Sequence, residues 1–412
     1  MQIAHLTDLH YCEKHLEFVD RATGFAVRRA IELGCEAAVL SGDSFDAAVP
    51  VHHPAVHALM DRVGTLADAM PVLVLQGTQS HDRPGCLELF KRLRSAHPIH
   101  VAASIHQAAL CRDGEGWRWQ ASEGFAFNAL PPATAALFSC LPSVNRGAVA
   151  ASTSADTAGA DTANLVHDVC RGWSGINLLA RRAGLPTVLV SHGTVNGCVT
   201  ESRNAMVSPD HEFTTGTLFA AETAAVCLGH IHAHQQWEQD GRRIAYGGSI
   251  ARLVYGHDAP VGFLVWNVEA ERADCELHET PARRLIDLFF DGPPDMAAIQ
   301  NRLADLEGAY VRLRYSVDQE HAHGVDAGQI KAMLTDAGAA EVKVEPRIDP
   351  VQRPRAAGLN QIDALADKVA RWADLSDTPA PALIDRLALL VSCEPAAIVA
   401  QLCDPDQAQE AA

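Results

Sequence analysis

The sequence predicts an α/β fold whose reactive groups gather at the carboxyl ends of buried strands, followed by a small α+β capping region and a helical tail. Three observations carry this reading. Short apolar runs recur, in QIAHLTD, AAVLSGD, PVLVLQGT, TVLVSHG and AVCLGHIH, and each ends in acids, histidines or a glycine turn. Segments with helical spacing lie between them, at roughly 15 to 33, 53 to 69, 85 to 95 and 165 to 183. Beyond Pro260 the pattern changes to longer strands and then to leucine-rich helical stretches.

The runs are continuous rather than alternating, which is the mark of strands covered on both faces, and helices on both faces are the expected cover. Ligands in such folds collect where loops converge over strand ends. Turns also collect Asp, Gly and Ser for purely structural reasons, so one such end means little and the recurrence means more. Residues 147 to 164, GAVAASTSADTAGADTAN, lack large apolar anchors and are expected to form a surface loop or linker. GFLVWNVEA predicts a strand, PARRLIDLFFDG leads into another, AAIQNRLADLEG predicts a helical run, and YVRLRYSVD a further strand. The tail, RPRAAGLNQIDALADKVARWADLS and PALIDRLALLVSCEPAAIVAQLC, has an apolar helical face that could pack at home or against a partner helix.

Length and charge bound the function. A chain of 412 residues suits two or three domains. Its 33 basic against 51 acidic side chains give a net charge of −18, which argues against a broad basic nucleic-acid surface. Metal ions held at carboxylates reverse that sign locally. The 11 scattered cysteines are odd in number and fit a reducing cytoplasm better than a disulfide framework. The opening MQIAHLTDLHYCEKH reaches Asp8 and His10 before any signal-like apolar run, and no stretch is long enough to span a membrane, so neither export nor insertion is expected.

The chemistry starts at Asp8-Leu9-His10, where residues two apart on an extended backbone project to the same side and could share a metal ion. Taken alone, the pair also fits an acid bonded to a structural histidine. In GDSFD, residues 42 to 46, the glycine turns the chain and Asp43 is offered as a carboxylate able to bridge two cations. Asp46 is expected to support a neighbour rather than to bind metal. SHG at 191 to 193 and GHIH at 229 to 232 add His192, His230 and His232 at strand ends. Chance clusters such as His52-His53 and His321-His323 lack that context. Mixed carboxylate and imidazole ligands suit manganese, iron or zinc better than an all-oxygen magnesium or calcium site. Two such ions imply phosphate ester hydrolysis.

The ordered set DLH, GDSFD, GTQSHD, SHG and GHIH resembles the calcineurin-like metallophosphoesterase superfamily, closest to the nuclease subunit of the bacterial SbcC-SbcD complex and its archaeal and eukaryotic relatives. The resemblance spans roughly residues 1 to 255, and more weakly to about 355 through HETPARRLIDLFFDGPP. It implies a layered β-sandwich flanked by helices, with a nuclease domain at 1–279, a capping domain at 280–355 and a helical region at 356–412 that could bind a partner. It further implies one ion at Asp8, His10, Asp43 and His232, and a second at Asp43, His192, His230 and a side chain of the middle motif. There the family's Gly-Asn-His is replaced by Gly77-Thr78-Gln79-Ser80-His81-Asp82. Ser80 takes the aligned place of the asparagine, Gln79 offers the closer chemical substitute, and water in the gap would weaken the second site. His81 and Asp82 are the implied catalytic residues, and Arg252, in GGSIARLVYGH, either meets a phosphate or secures the domain junction. Lys343, Arg347, Arg353 and Arg355 form a sparse basic run.

The resemblance implies a DNA exonuclease or endonuclease for repair or end processing, using two divalent ions, most simply Mn2+ with Mg2+, Fe2+ or Zn2+ as alternatives. It also implies a homodimer and a separate coiled-coil SMC-like ATPase partner of the SbcC type, since this chain has no phosphate-binding Gly-x-x-x-x-Gly-Lys-Ser/Thr loop. Two alternatives share the sequence: a nucleotide or small-molecule phosphodiesterase, and a DNA-repair scaffold with weakened catalysis.

Overall fold

The computed structural model describes residues 1–47, 49–144, 158–200, 212–255, 257, 259–350 and 358–402. The chain opens with β1 (Gln2–Leu6), crosses through helix α1 (Leu16–Glu32) to β2 (Ala37–Leu40), and through α2 (Pro54–Ala69) to β3 (Val72–Leu75) and β4 (Ile99–Ala102). These crossovers have local causes. Helix α1 buries Val19, Ala22, Thr23, Ala26, Val27 and Ala30, the three- and four-residue spacing of one helical face. Helix α2 starts on Pro54 at its first turn, with the ring of His53 accepting from the Ala55 N–H at 3.2 Å.

Strands β5 (His106–Asp113), β6 (Gly116–Ala121), β7 (Thr134–Leu141) and β8 (Thr187–His192) follow, with helix α3 (Ala158–Arg182) before β8. Then come the short β9 (Thr194–Val195) and β10 (Glu212–Phe213), helix α4 (Thr215–Phe219), and β11 (Ala225–Gly229), β12 (Gln235–Gln239), β13 (Arg242–Tyr246), β14 (Gly262–Val268) and β15 (Ala273–Glu279). Six strands form one sheet in the order β15-β14-β1-β2-β3-β4, and seven form another in the order β12-β13-β11-β8-β7-β5-β6. The run β1-β2-β3-β4 is parallel, as is β13-β11-β8-β7, and antiparallel strands extend both sheets.

Each strand is covered twice, in the layered arrangement the resemblance implies and not by helices on both faces. Ile3, Ala37, Val39, Leu73 and Leu75 share a core with Ala108, Leu110, Phe138, Val188, Val190 and Cys227 of the other sheet. The intervening Ala4, Leu6, Ala38, Leu40, Val72 and Val74 pack on α1 and α2. On the far face of the second sheet, Leu189, Val226, Leu228 and Ile244 pack with Val166, Cys170 and Trp173 of α3. Each sheet therefore carries helices on one face and the other sheet on its second face. A strand buried against a sheet is as apolar as one buried against a helix, so composition could not separate the two.

Two further elements differ from expectation. The run 85 to 95 forms a tight 3-10 helix, Cys86–Arg92, in which the buried Leu87 and Phe90 stand three apart, the spacing that eclipses side chains in that geometry. Helix α3 begins at Ala158, inside the expected linker, whose residues 147–157 lie outside the described residues. The alanines there are good helix formers and extend a helix whose buried anchors come later.

After β15 a three-stranded sheet in the order β16-β17-β18 is built from β16 (Leu285–Phe290), β17 (Tyr310–Asp318) and β18 (Glu341–Asp349), with α5 (Met296–Gln300) and α6 (Ala327–Asp336) between them. The expected helical run at AAIQNRLADLEG is divided into α5 and a 3-10 turn at Leu303–Asp305. By contacts the chain divides into a large unit, Met1–Tyr315 with Asp326–Glu345, and a smaller one, Ser316–Val325 with Pro346–Ala412. The smaller holds α7 (Leu365–Leu375), α8 (Ala380–Ser392) and α9 (Pro395–Leu402), with Ala373 of α7 fully buried and Leu365, Trp372 and Leu375 exposed. The whole is an α/β fold of mixed sheets flanked by helices with a C-terminal helical region. No helix among the described residues is long and apolar enough to cross a membrane.

Candidate metal centre

The parallel ends of both sheets deliver the candidate residues to one place. Past β1, the segment Thr7–Tyr11 is zipped to the segment past β2: the N–H groups of Asp8, His10 and Tyr11 donate to the carbonyls of Gly42, Asp43 and Ser44 at 3.2, 3.0 and 3.0 Å. The extended geometry expected for Asp8 and His10 is not what turns them inward. Both lie beyond the strand in the left-handed region, with φ of 50° and 49°, and so do Asp43 at 50° and His230 at 101°. Side chains with a Cβ avoid that region, and its use by four candidate ligands marks backbone strain held by the surrounding bonds.

Close packing enforces the arrangement. A Cβ on Gly77 would collide with the backbone nitrogen and carboxylate of Asp43, and one on Gly229 would collide with Thr7 Oγ1, the Ser41 carbonyl and His192 Nδ1. Glycine at these two points lets the ends of β1, β2, β3, β8 and β11 meet.

Two clusters result, Asp8 with His10 and His232, and Asp43 with His192 and His230, each with one donor atom per residue within 4.8 Å of the others. In the first, Nε2 of His10 and Nε2 of His232 face each other at 3.0 Å, and Asp8 Oδ1 lies 3.9 and 3.8 Å from them. In the second, His192 Nε2 is 3.2 Å from Asp43 Oδ1. The other oxygen, Asp43 Oδ2, points to the first cluster, 4.0 Å from His10 Nε2. One carboxylate thus addresses both clusters.

The supporting bonds fix which atoms are offered. His192 Nδ1 donates to the Ser41 carbonyl at 2.8 Å, which leaves Nε2 directed at Asp43. Asp8 is held by the His230 N–H, 3.0 Å from each of its oxygens, and by the Thr7 hydroxyl at 2.8 Å. Behind them, Trp266 Nε1 donates to His5 Nδ1 at 3.3 Å, so His5 Nε2 carries the hydrogen donated to Ser41 Oγ at 2.7 Å. These residues fit divalent cations: the donors are carboxylates and imidazoles, they converge, and facing imidazole nitrogens suit a shared cation better than each other.

Electrostatics agree. Burial works against the charge on Asp43, but His192, by charge and hydrogen bond, together with His10 and His81, holds its carboxyl far below the usual range. For His192 burial opposes protonation, yet Asp43 and Asp8 win and push it up to about 9. Burial pushes the Asp8 carboxyl up despite His192 and His10. His232 is driven well down by burial and by the charge of His10. The metal-free chain therefore holds a proton on His192 where a cation would sit.

The middle motif departs from expectation. Ser80 and Gln79 are exposed on the turn, and it is Thr78 that reaches the site, its N–H and Oγ1 donating to Asp43 Oδ1 at 2.7 and 2.5 Å. Position, not side-chain type, was the signal: Thr78 directly follows the turn glycine. His81 stands at the rim, 29% exposed, with Nδ1 2.6 Å from the Asp46 carbonyl and Nε2 3.9 Å from Asp43 Oδ2. Asp82 does not face the site. It is fully buried, and its carboxylate accepts from the N–H groups of Gly77 at 2.9 Å, Ser44 at 3.0 Å and Phe45 at 3.3 Å. It clamps the loops after β2 and β3 together.

Asp46, given no metal role from the sequence, forms a third cluster with His10 and His81, with Oδ1 3.4 Å from His10 Nδ1. Arg252 donates to the Arg283 carbonyl at 3.5 Å and receives Arg283 Nε on its own carbonyl at 2.9 Å. In the basic run, Lys343 pairs with Glu345 at 2.6 Å and Arg347 with Asp349 at 3.0 Å. Arg353 and Arg355 lie outside the described residues.

The layered architecture brings two adjacent carboxylate–imidazole clusters together, an arrangement that could hold two metal ions. No protein-family model matches the chain, and no curated protein matches it. Among solved structures, a dimetal phosphatase from Danio rerio is similar at 9% identity and a TM-score of 0.41, covering 68% of this chain and 99% of its own. GAP50, the anchor in the inner membrane complex of Plasmodium, is similar at 12% identity and a TM-score of 0.40, covering 68% of this chain and 89% of its own.

Proposed function

We propose that this chain is a dinuclear metal-dependent phosphodiesterase that cleaves DNA, as an exonuclease or endonuclease working in a homodimer with a separate coiled-coil ATPase of the SbcC type. The observation that carries the hydrolytic part is Asp43, whose two oxygens address two ligand clusters. DNA and the ATPase are supported by the order of the motifs from DLH to GHIH.

Divalent ions, Mn2+ by the resemblance with Mg2+, Fe2+ or Zn2+ as alternatives, would be held by Asp8, His10, Asp43 and His232 and by Asp43, His192 and His230, and would supply charge neutralisation and an acidified water when bound. The chain does the positioning. His192 is oriented by Ser41, Asp8 by Thr7 and the His230 N–H, and Asp43 by Thr78. His81, anchored through Nδ1 on the Asp46 carbonyl, turns Nε2 toward the Asp43 side of the site, where it can contact the transferred phosphate or its leaving oxygen.

A small-molecule phosphodiesterase is favoured by one observation: the basic run that would meet a DNA backbone is paired internally at Lys343–Glu345 and Arg347–Asp349. The test compares linear duplex, hairpin DNA and bis-p-nitrophenyl phosphate with Mn2+, with and without the ATPase. Cleavage of DNA that requires Asp43 supports the proposal. Hydrolysis of the small diester alone moves the chain to the second reading, and occupied metals without hydrolysis of any substrate remove both.

A further inference from the structure

Away from the clustered ligands, the large unit contains a cavity of about 470 Å³, within the size range of small-molecule sites. One wall is the segment Glu13–Phe18, which leaves the metal loop shortly after His10, and the others come from Leu253–Tyr255, Arg283 and strands β17 and β18. Along the chain the cavity wall begins three residues after His10, at Glu13. None of the proposed metal ligands lines it.

Its chemistry is of three kinds. The first is aromatic, from Phe18, Tyr255 and Tyr310. The second is cationic. Arg283 lies between two rings, its guanidinium 4.0 Å from the centre of Phe18 and 4.8 Å from that of Tyr310, and Arg312 lies 5.0 Å from Tyr255. Arg312 is already answered by Asp287 at 2.7 Å. Arg283 is fixed by the carbonyls of Arg252 and Leu253 at 2.9 and 3.0 Å, which hold its direction without cancelling its charge. Among the described residues no carboxylate lies within ion-pair distance of it, and burial pulls its pKa down against the opposing charge of Glu341. Lys14 stands on the same walls, and so does Lys343, which is already paired with Glu345 at 2.6 Å. The third kind is acidic: Glu17 and Glu341 supply acceptors, while Glu13 lies 3.9 Å from His53.

A simple anion would not need the acids, and a simple cation would be repelled by Arg283. A ligand with an anionic end, a flat apolar body and hydrogen-bond donors at its far edge satisfies all three. We infer that this cavity is a nucleoside monophosphate site, with the phosphate on Arg283 and Lys14, the base against the aromatic wall, and its amino edge on Glu17 or Glu341. Planar guanidinium suits phosphate, and bases stack on aromatic rings with little regard to sequence. The inference stands apart from the hydrolytic reading, because the cavity contains no proposed metal ligand.

The test is calorimetric binding of AMP to the full chain in excess EDTA, which removes metal-bound phosphate as a source of signal. AMP is expected to bind, and adenosine and inorganic phosphate each to bind at least tenfold more weakly. Lys14→Gln, a surface change that leaves the fold intact, is expected to weaken AMP about tenfold, the loss of one charge-assisted contact. Absence of AMP binding at millimolar concentration overturns the inference, as does binding that survives Lys14→Gln unweakened. A phosphorylated dinucleotide binding more tightly than AMP would overturn it in favour of a nucleic-acid end. Loss of nuclease activity with AMP binding intact would count against the proposed function alone.

Discussion

Asp82 separates a structural from a catalytic reading of the middle motif. Its carboxylate accepts from the Gly77, Ser44 and Phe45 N–H groups at 2.9, 3.0 and 3.3 Å while fully buried. In Asp82→Asn one oxygen remains, and the new amide presents a donor to a donor, so at least one buried N–H loses its partner at a cost of about 1–3 kcal/mol. The pH dependence of that cost has a definite sign. Burial and the charge of Asp43 raise the Asp82 carboxyl from 3.8 to about 6. A raised carboxyl contributes stability that is present below pH 3.8 and lost as pH rises through 6, a change of about 3 kcal/mol at 1.36 kcal/mol per pH unit. Asparagine does not ionise and suffers no such loss. In chelator, urea melts should show the variant within about 1 kcal/mol of the parent near pH 4, where the parent's carboxyl also carries a proton, and more stable than the parent by pH 8. The variant should need more metal for half-maximal hydrolysis, yet keep its turnover within a few-fold at saturating metal. Equal stability at both pH values, with turnover collapsed at saturating metal, would refute the clamp and return Asp82 to the reacting groups.

Other outcomes follow from the same geometry. Burial, with the charge of His234 adding to it, holds His5 neutral down to about pH 3 against an ordinary 6.5. Its stability contribution is therefore complete above pH 6.5 and lost as pH falls, by at most about 5 kcal/mol, and His5→Gln should flatten the acid limb of the stability profile. Metal uptake should release a proton from His192, which sits at about 9 in the metal-free chain, so affinity should climb about tenfold per pH unit from pH 7 to 9 and then level off. A pH-independent affinity over that range would contradict the ion pair. Gly229→Ala should cost about 1–3 kcal/mol by overpacking against Thr7, Ser41 and His192, and should weaken metal binding in a titration followed by thermal melting.

The apolar runs made the strands legible because four-residue segments such as AAVL and VLVL leave no position for water on either face. They could not reveal which layer covered which face. The ligand types and their order were legible too, since only acids and histidines at strand ends offer that chemistry. Their backbone was not: Asp8, His10, Asp43 and His230 adopt left-handed φ without a glycine to announce it, because bonds from distant loops impose the strain. Thr78 and the inward role of Asp82 were hidden for a related reason. A two-residue insertion leaves the aligned position intact on paper while turning a different side chain toward Asp43. Asp46 is an ordinary turn acid by sequence, and only its 3.4 Å approach to His10 distinguishes it.

The division of ligands between the two sheets has a mechanical consequence. Asp8, His10 and Asp43 hang from the first sheet and His192, His230 and His232 from the second, and the 2.8 Å bond from His192 to Ser41 crosses the seam between them. Sheets packed face to face through apolar side chains resist separation more than they resist sliding. The polar seam at their open edge is therefore the part that gauges alignment: a slip of about 1 Å would carry Nε2 of His192 out of hydrogen-bond reach of Asp43 while leaving the apolar interior almost unchanged. Anything that biases the sliding of one sheet over the other, a bound partner included, would tune the centre without touching a ligand.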